Sequence, residues 1–278
     1  MNSDRVSVVL LAVVAAACSP APLDPDADTF VPSVQTPDCR PNNDGVIDSA
    51  ELPVVLGARA RVRVGQSVNV DVSGVEQDGL TVWDFSNPDP TTEPLGSLTV
   101  EKMEDQYFAD LFPGVDIAAP LVPGNAQLGA LSVTDERWAL LGAASKLADP
   151  PEGQTRIVYD EPSVLYPFPL ELGARVTSSS RAQNALLLGI PTAFVDDVEV
   201  EVTGQGRVVL PDLILENTLR VTLRLARTLL AGDVQQTTHV FVHECIGEVA
   251  RVQSDAVPLD DVLEDDFAVA KEVWRLAL

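Results

Sequence analysis

Oxygen-bearing residues recur at short intervals around one glycine in Asn42-Asn43-Asp44-Gly45-Val46-Ile47-Asp48-Ser49-Ala50-Glu51. Gly45 permits a sharp turn through positive φ. Such a turn gathers the side-chain oxygens of Asn42 and Asp44, the carbonyl of Val46, a water held by Asp48 and both carboxylate oxygens of Glu51. Hard oxygen donors at that spacing suit calcium. The affinity expected is about 10⁻⁴–10⁻³ M, which would make the ion structural rather than a signal. The alternative is a loop that keeps the turn and binds nothing.

The spacing resembles an EF-hand calcium loop, with Gly45 at its sixth position. Arg40 stands at the first position, where the pattern has an aspartate. Pro32, Pro37 and Pro41 leave no room for an incoming helix, and Pro53 limits the exit to one helical turn.

Other reactive residue types lack partners at useful spacing. His239 and His243 could bind zinc on a helix, and His243-Glu244 resembles the start of a zincin motif, but that motif needs a second histidine where Gly247 stands. On a strand the two imidazoles lie about 13 Å apart, so they read as ordinary strand histidines. There is no Gly-x-Ser-x-Gly elbow and no phosphate-cradling glycine loop. Asp196-Asp197 and Asp260-Asp261 could in principle be glycosidase carboxylates, but solvated surface charge explains them better. Arg59, Arg61 and Arg63 read as the solvent face of a strand. No enzyme is expected.

Residues 1–17 combine Arg5 with an apolar run from Val6 to Ala17, too short for the ~20 residues that cross a bilayer. Ala15-Ala16-Ala17-Cys18 resembles the lipobox of bacterial lipoproteins. The resemblance implies cleavage before Cys18, acylation of its thiol and amine, and a lipid anchor in the membrane; Ser19 after it implies the outer rather than the inner membrane. Residues 18–37, rich in Pro and Asp, read as a disordered tether. With Cys18 committed to lipid, Cys39 and Cys245 remain as an even pair in an oxidising compartment. Their bridge would stabilise by about 5 kcal/mol; the alternative is two buried thiols.

The net charge is −24. It repels phosphates, which excludes nucleic acid as a partner, and it repels anionic lipid headgroups, so attachment to membrane should be covalent.

Period-two alternation marks residues 58–64 and 68–72 as strands, joined by a hairpin at Gly65-Gln66. Residues 198–202 repeat the pattern, turn at Gly204-Gln205-Gly206 and return as 207–210. Residues 219–225 turn at Ala231-Gly232-Asp233 and return through 236–244. Shorter strands are expected at 80–85, 96–102, 106–111, 127–133, 137–143, 155–159 and 173–178. Residues 259–278 read as an acidic turn followed by a strand. The fold class is all-β: an antiparallel meander forming a curved sheet, half-barrel or sandwich over 53–278, after the signal peptide (1–17), the tether (18–37) and the EF-hand-like loop (38–52).

From about residue 80 onward, Val82-Trp83-Asp84, Leu111-Phe112-Pro113-Gly114, Leu140-Leu141-Gly142, Tyr159-Asp160-Glu161-Pro162, Phe168-Pro169-Leu170 with Gly173, and Glu244-Cys245-Ile246-Gly247-Glu248-Val249 are similar to uncharacterised lipoproteins of Gram-negative envelopes. The resemblance implies a β-rich, curved-sheet domain and no particular activity. The expectation is a membrane-anchored, non-enzymatic structural or binding protein. Its alternatives are a carrier of an apolar ligand in a curved sheet and, behind it, an envelope-polymer hydrolase.

Overall fold

The structure is a computed structural model and describes residues 39–87, 93–124, 126–230 and 232–277. The signal peptide, Cys18 and the tether therefore lie outside the described residues. Sixteen strands run through the described ones: β1 Arg59–Asn69, β2 Val75–Gln77, β3 Leu80–Asp84, β4 Leu95–Thr99, β5 Glu101–Lys102, β6 Ile117–Pro120, β7 Gln127–Val133, β8 Arg137–Ser145, β9 Arg156–Pro167, β10 Arg175–Leu187, β11 Ile190–Val209, β12 Ile214–Leu229, β13 Val234–His243, β14 Gly247–Gln253, β15 Val257–Pro258 and β16 Val269–Ala277. All belong to one sheet, ordered β4-β1-β16-β14-β13-β12-β11-β10-β9-β8-β7-β6-β5, with β2, β3 and β15 attached beside it. The two ends of that path, β4 and β5, are separated along the chain by Val100 alone. The sheet thus curls back on itself into a nearly closed, barrel-shaped wall.

Val-rich alternation builds the wall, and chain reversals from β6 to β14 give neighbouring antiparallel pairs. The closing seam is long-range. β1 pairs antiparallel with β16, Val64 opposite Trp274, and with β4, Val62 opposite Gly96.

Successive residues of a strand point to opposite faces, and here both faces are covered. Val240 and Val242 of β13 join Ile47, Leu170, Val202 and Leu219 in one buried cluster. Phe241, between them, joins Trp83, Phe85, Val208 and Val252 in another. Residues 72–85 form that second layer, with Trp83 and Phe85 each meeting Phe241 edge-on at 5.1 Å between ring centroids. Burial of each such ring stabilises by about 2–3 kcal/mol. Residues 103–112 do the same for β6–β8, where Met103, Phe108 and Phe112 pack on Leu128 and Ala130.

Several sequence expectations need correction. Gly65-Gln66 is no hairpin: β1 runs straight through, Gly65 opposite Val273 and Gln66 opposite Glu272. Gly204-Gln205-Gly206 is no turn either, because β11 continues to Val209 with irregular register on either side. These glycines serve close approach. A Cβ on Gly204 would stand 3.0 Å from the Trp83 ring, and one on Gly206 2.1 Å from the Thr81 carbonyl oxygen. There β3 pairs with β11 in parallel, Thr81 beside Gly206, so the sheet is not a pure meander. Residues 106–111 are not a strand but include the 3₁₀ turn Ala109–Leu111. Residues 269–277 form the expected last strand.

Candidate functional site

The loop from Cys39 to Leu52 lies against the turn between β13 and β14 and is fastened at several points. Cys39 forms a disulfide with Cys245, 206 residues away, with the Cα atoms 5.5 Å apart. The Cys245 amide donates to the Glu51 carbonyl at 2.7 Å, and Ile47, fully buried, exchanges two 2.9 Å backbone hydrogen bonds with Leu170. Gly45 has φ +86°, the conformation that the turn demands, and Gln205 lies where its Cβ would be.

Around that turn the expected calcium ligands hold the loop's own backbone. Asn42 Oδ1 accepts from the Asp44 amide and Asp44 Oδ1 from the Val46 amide, both at 2.9 Å. Glu51 Oε2 accepts from the Asp48 amide at 3.0 Å, across the 3₁₀ turn Ser49–Glu51. Asn42, Asp44 and Asp48 face solvent. Among the described residues, no three His, Cys, Asp or Glu side chains are grouped as a metal ion would hold them.

One residue that the sequence did not single out as a ligand lies against this loop. Glu244, 2 % exposed, accepts the Asn43 amide at 3.0 Å through Oε2, while its Oε1 is buried without a hydrogen-bond partner. A signal for it existed. If Cys245 is bridged to Cys39, its neighbour has to sit beside the loop.

Next to the loop, between Leu52–Ala60 and the facing strands, lies a pocket of about 280 Å³. Leu52, Val55, Leu131, Trp138, Arg251 and Trp274 are among its walls. Its surface is mostly apolar; of its lining residues, Trp138 and Arg251 each bury a nitrogen, Nε1 and Nε, without a hydrogen-bond partner. Arg251 lies over the Trp274 ring, 5.6 Å from its centroid. Its Nη2 donates to both Glu248 oxygens, at 2.8 and 2.7 Å, and Glu248 also accepts from the Tyr166 hydroxyl. Burial, then the Glu248 charge, hold the Tyr166 hydroxyl protonated well beyond its ordinary range. Burial also pulls the Arg251 guanidinium down, but Glu248 and Tyr166 outweigh it and the net shift is upward. The sequence reading missed Trp138 and Arg251, which come from β8 and β14 to line the same pocket.

A larger groove of about 490 Å³ lies open along Thr177–Ser179, Asp197–Glu199 and Arg224–Ala226. Its Arg224 is already bonded to Glu199, Glu201 and Asp265.

The remaining candidates are structural. His239 is buried, stacked on Phe267 at 5.6 Å, with Nδ1 2.9 Å from the Thr222 hydroxyl and Nε2 2.7 Å from the Asp265 carbonyl. A carbonyl only accepts, so Nε2 carries the proton and Nδ1 accepts from Thr222. Burial lowers the imidazole to about 4. His243 Nδ1 meets the Glu244 carbonyl at 2.7 Å. Asp196 is not solvated, contrary to expectation: it is 2 % exposed and takes Arg227 Nε and Nη2 at 2.6 and 2.7 Å and the Tyr159 hydroxyl at 2.6 Å. Asp260 and Asp261 are exposed, as are Arg59 and Arg61, while Arg63 is half-buried.

Comparison with known proteins returns no match, whether to a family model, a curated protein or a solved structure.

Proposed function

We infer that the protein is a membrane-tethered, non-enzymatic binding protein of the cell envelope. Its barrel takes a small apolar ligand. The observation that carries the ligand class is the pocket of about 280 Å³ whose walls are dominated by Leu, Val, Ala and Trp. The volume is close to the lower end of ligand pockets, about 300 Å³, and suits a short acyl segment or a compact apolar molecule rather than a whole lipid. The tethering half of the reading rests on Ala15-Ala16-Ala17-Cys18 and on the disulfide, which fastens Cys39, the first of the described residues, to the turn between β13 and β14.

Native mass spectrometry of the protein extracted from membranes tests both halves. The expected result is a mass beginning at Cys18 with acyl chains added, together with a small co-purified molecule that is lost in Trp138→Phe. An unacylated mass retaining Met1 would overturn the tether. A ligand-free protein that also ignores added short-chain fatty acids and alcohols in thermal shift would overturn the pocket.

A further inference from the structure

We propose that Glu244 supplies, from across the molecule, the carboxylate that the loop 42–51 lacks, so that loop and glutamate together bind one calcium ion. This stands apart from both the ligand pocket and the lipid anchor.

The ring of oxygens read from Asn42, Asp44, Val46, Asp48 and Glu51 has a gap at its first position, where Arg40 puts a cation. Glu244 enters the loop from the other side. Its Oε2 takes the amide of Asn43, between the two ligand residues Asn42 and Asp44. Its backbone is fixed by its neighbour Cys245, bridged to Cys39 at the start of the loop and hydrogen-bonded to Glu51 at its end. Glu244 is thus tied to the beginning, the middle and the end of one loop.

Its second oxygen has nothing to bind. Oε1 is buried and accepts no hydrogen bond. A buried carboxylate left half-paired is costly. A cation beside it relieves that cost, and a hard one is required, since the oxygens around the loop come from carboxylates, an amide and a backbone carbonyl. The net charge of −24 raises the local cation concentration without providing a site. The solvent-facing Asp44 and the half-buried Glu51 stand apart from Glu244, so binding draws two adjustable ligands onto one that is preset. A site that must gather its ligands binds weakly, in the range of about 10⁻⁴–10⁻³ M.

The test is equilibrium dialysis of the intact protein against calcium chloride in 0.15 M potassium chloride, with thermal unfolding followed in parallel and magnesium chloride as the competing probe. One calcium per chain and a raised unfolding midpoint are expected, with magnesium ineffective at equal concentration. Glu244→Gln keeps an acceptor for the Asn43 amide but loses the charge; binding should weaken at least tenfold. Asp44→Asn, on the surface where folding is not at stake, should weaken it similarly, and Asp260→Asn should leave it unchanged. Absence of binding up to 10-fold above the expected range overturns the proposal. So does binding that neither Glu244→Gln nor Asp44→Asn affects, which would place the ion elsewhere.

Discussion

Asp196 and Glu244 are both 2 % exposed, one in the wall between β10 and β12, the other at the turn from β13 to β14. Asp196 receives two nitrogens of Arg227 and the Tyr159 hydroxyl, so both its oxygens are engaged. Glu244 receives one backbone amide, and its other oxygen is bare. His239 in the same wall represents a third arrangement, in which the buried group is kept neutral and both its ring nitrogens are bonded. Asp196 is paired on both oxygens and serves the fold; Glu244 is paired on one, beside a loop of oxygen donors, and there a cation is proposed as the missing partner.

The largest effect should come from cutting what holds Glu244 to the loop. Replacing both Cys39 and Cys245 by serine should lower stability by about 5 kcal/mol, read from urea denaturation, because the bridge closes most of the chain. A loss under 1 kcal/mol would mean that the loop is held by its backbone bonds alone.

Breaking the satisfied carboxylate comes next. Asp196→Asn leaves the Arg227 guanidinium buried against an amide and should cost about 4 kcal/mol in the same assay.

The neutral imidazole gives a pH signature of about 3 kcal/mol. His239 has a folded value of about 4 against an ordinary 6.5, so the unfolded chain binds the extra proton between those values. Its contribution is complete above pH 6.5 and disappears as pH falls towards 4. The difference in unfolding free energy between wild type and His239→Gln, measured from pH 7 to 4, should shrink across that window. A difference independent of pH would contradict the assignment.

Gly206→Ala touches neither carboxylate and calibrates the comparison. Its Cβ would stand 2.1 Å from the Thr81 carbonyl oxygen, and parting β3 from β11 should cost about 2 kcal/mol by thermal melting.

The smallest effect sharpens the contrast most. With a chelator present, Glu244→Gln should change stability by less than about 1 kcal/mol, since the amide oxygen still accepts from Asn43. A loss comparable to that of Asp196→Asn would make Glu244 another structural charge.

Much of the wall was legible in the sequence. Val198 to Val202 and Leu219 to Leu225 carry their strands plainly in local alternation. The failures share a cause. Gly65, Gly204 and Gly206 carry turn chemistry on paper, but Gly65 stands mid-strand opposite Val273, and at Gly204 and Gly206 the missing Cβ lets Trp83 and Thr81 approach closely. Asp196 beside Asp197 looks like surface charge until Arg227 and Tyr159 are brought to it from two other strands.

The sequence by itself determined the β periodicity and the oxygen-rich turn at Gly45, because both follow from local spacing, and counting left Cys39 and Cys245 as the candidate pair that the structure joins. Tertiary structure alone decided that β1 pairs with β16, that Trp138 and Arg251 line one pocket, and that Glu244 meets the loop. Those facts depend on residues tens to hundreds of positions apart arriving at the same place, and no local pattern encodes which distant oxygen or nitrogen will be left without a partner when they do.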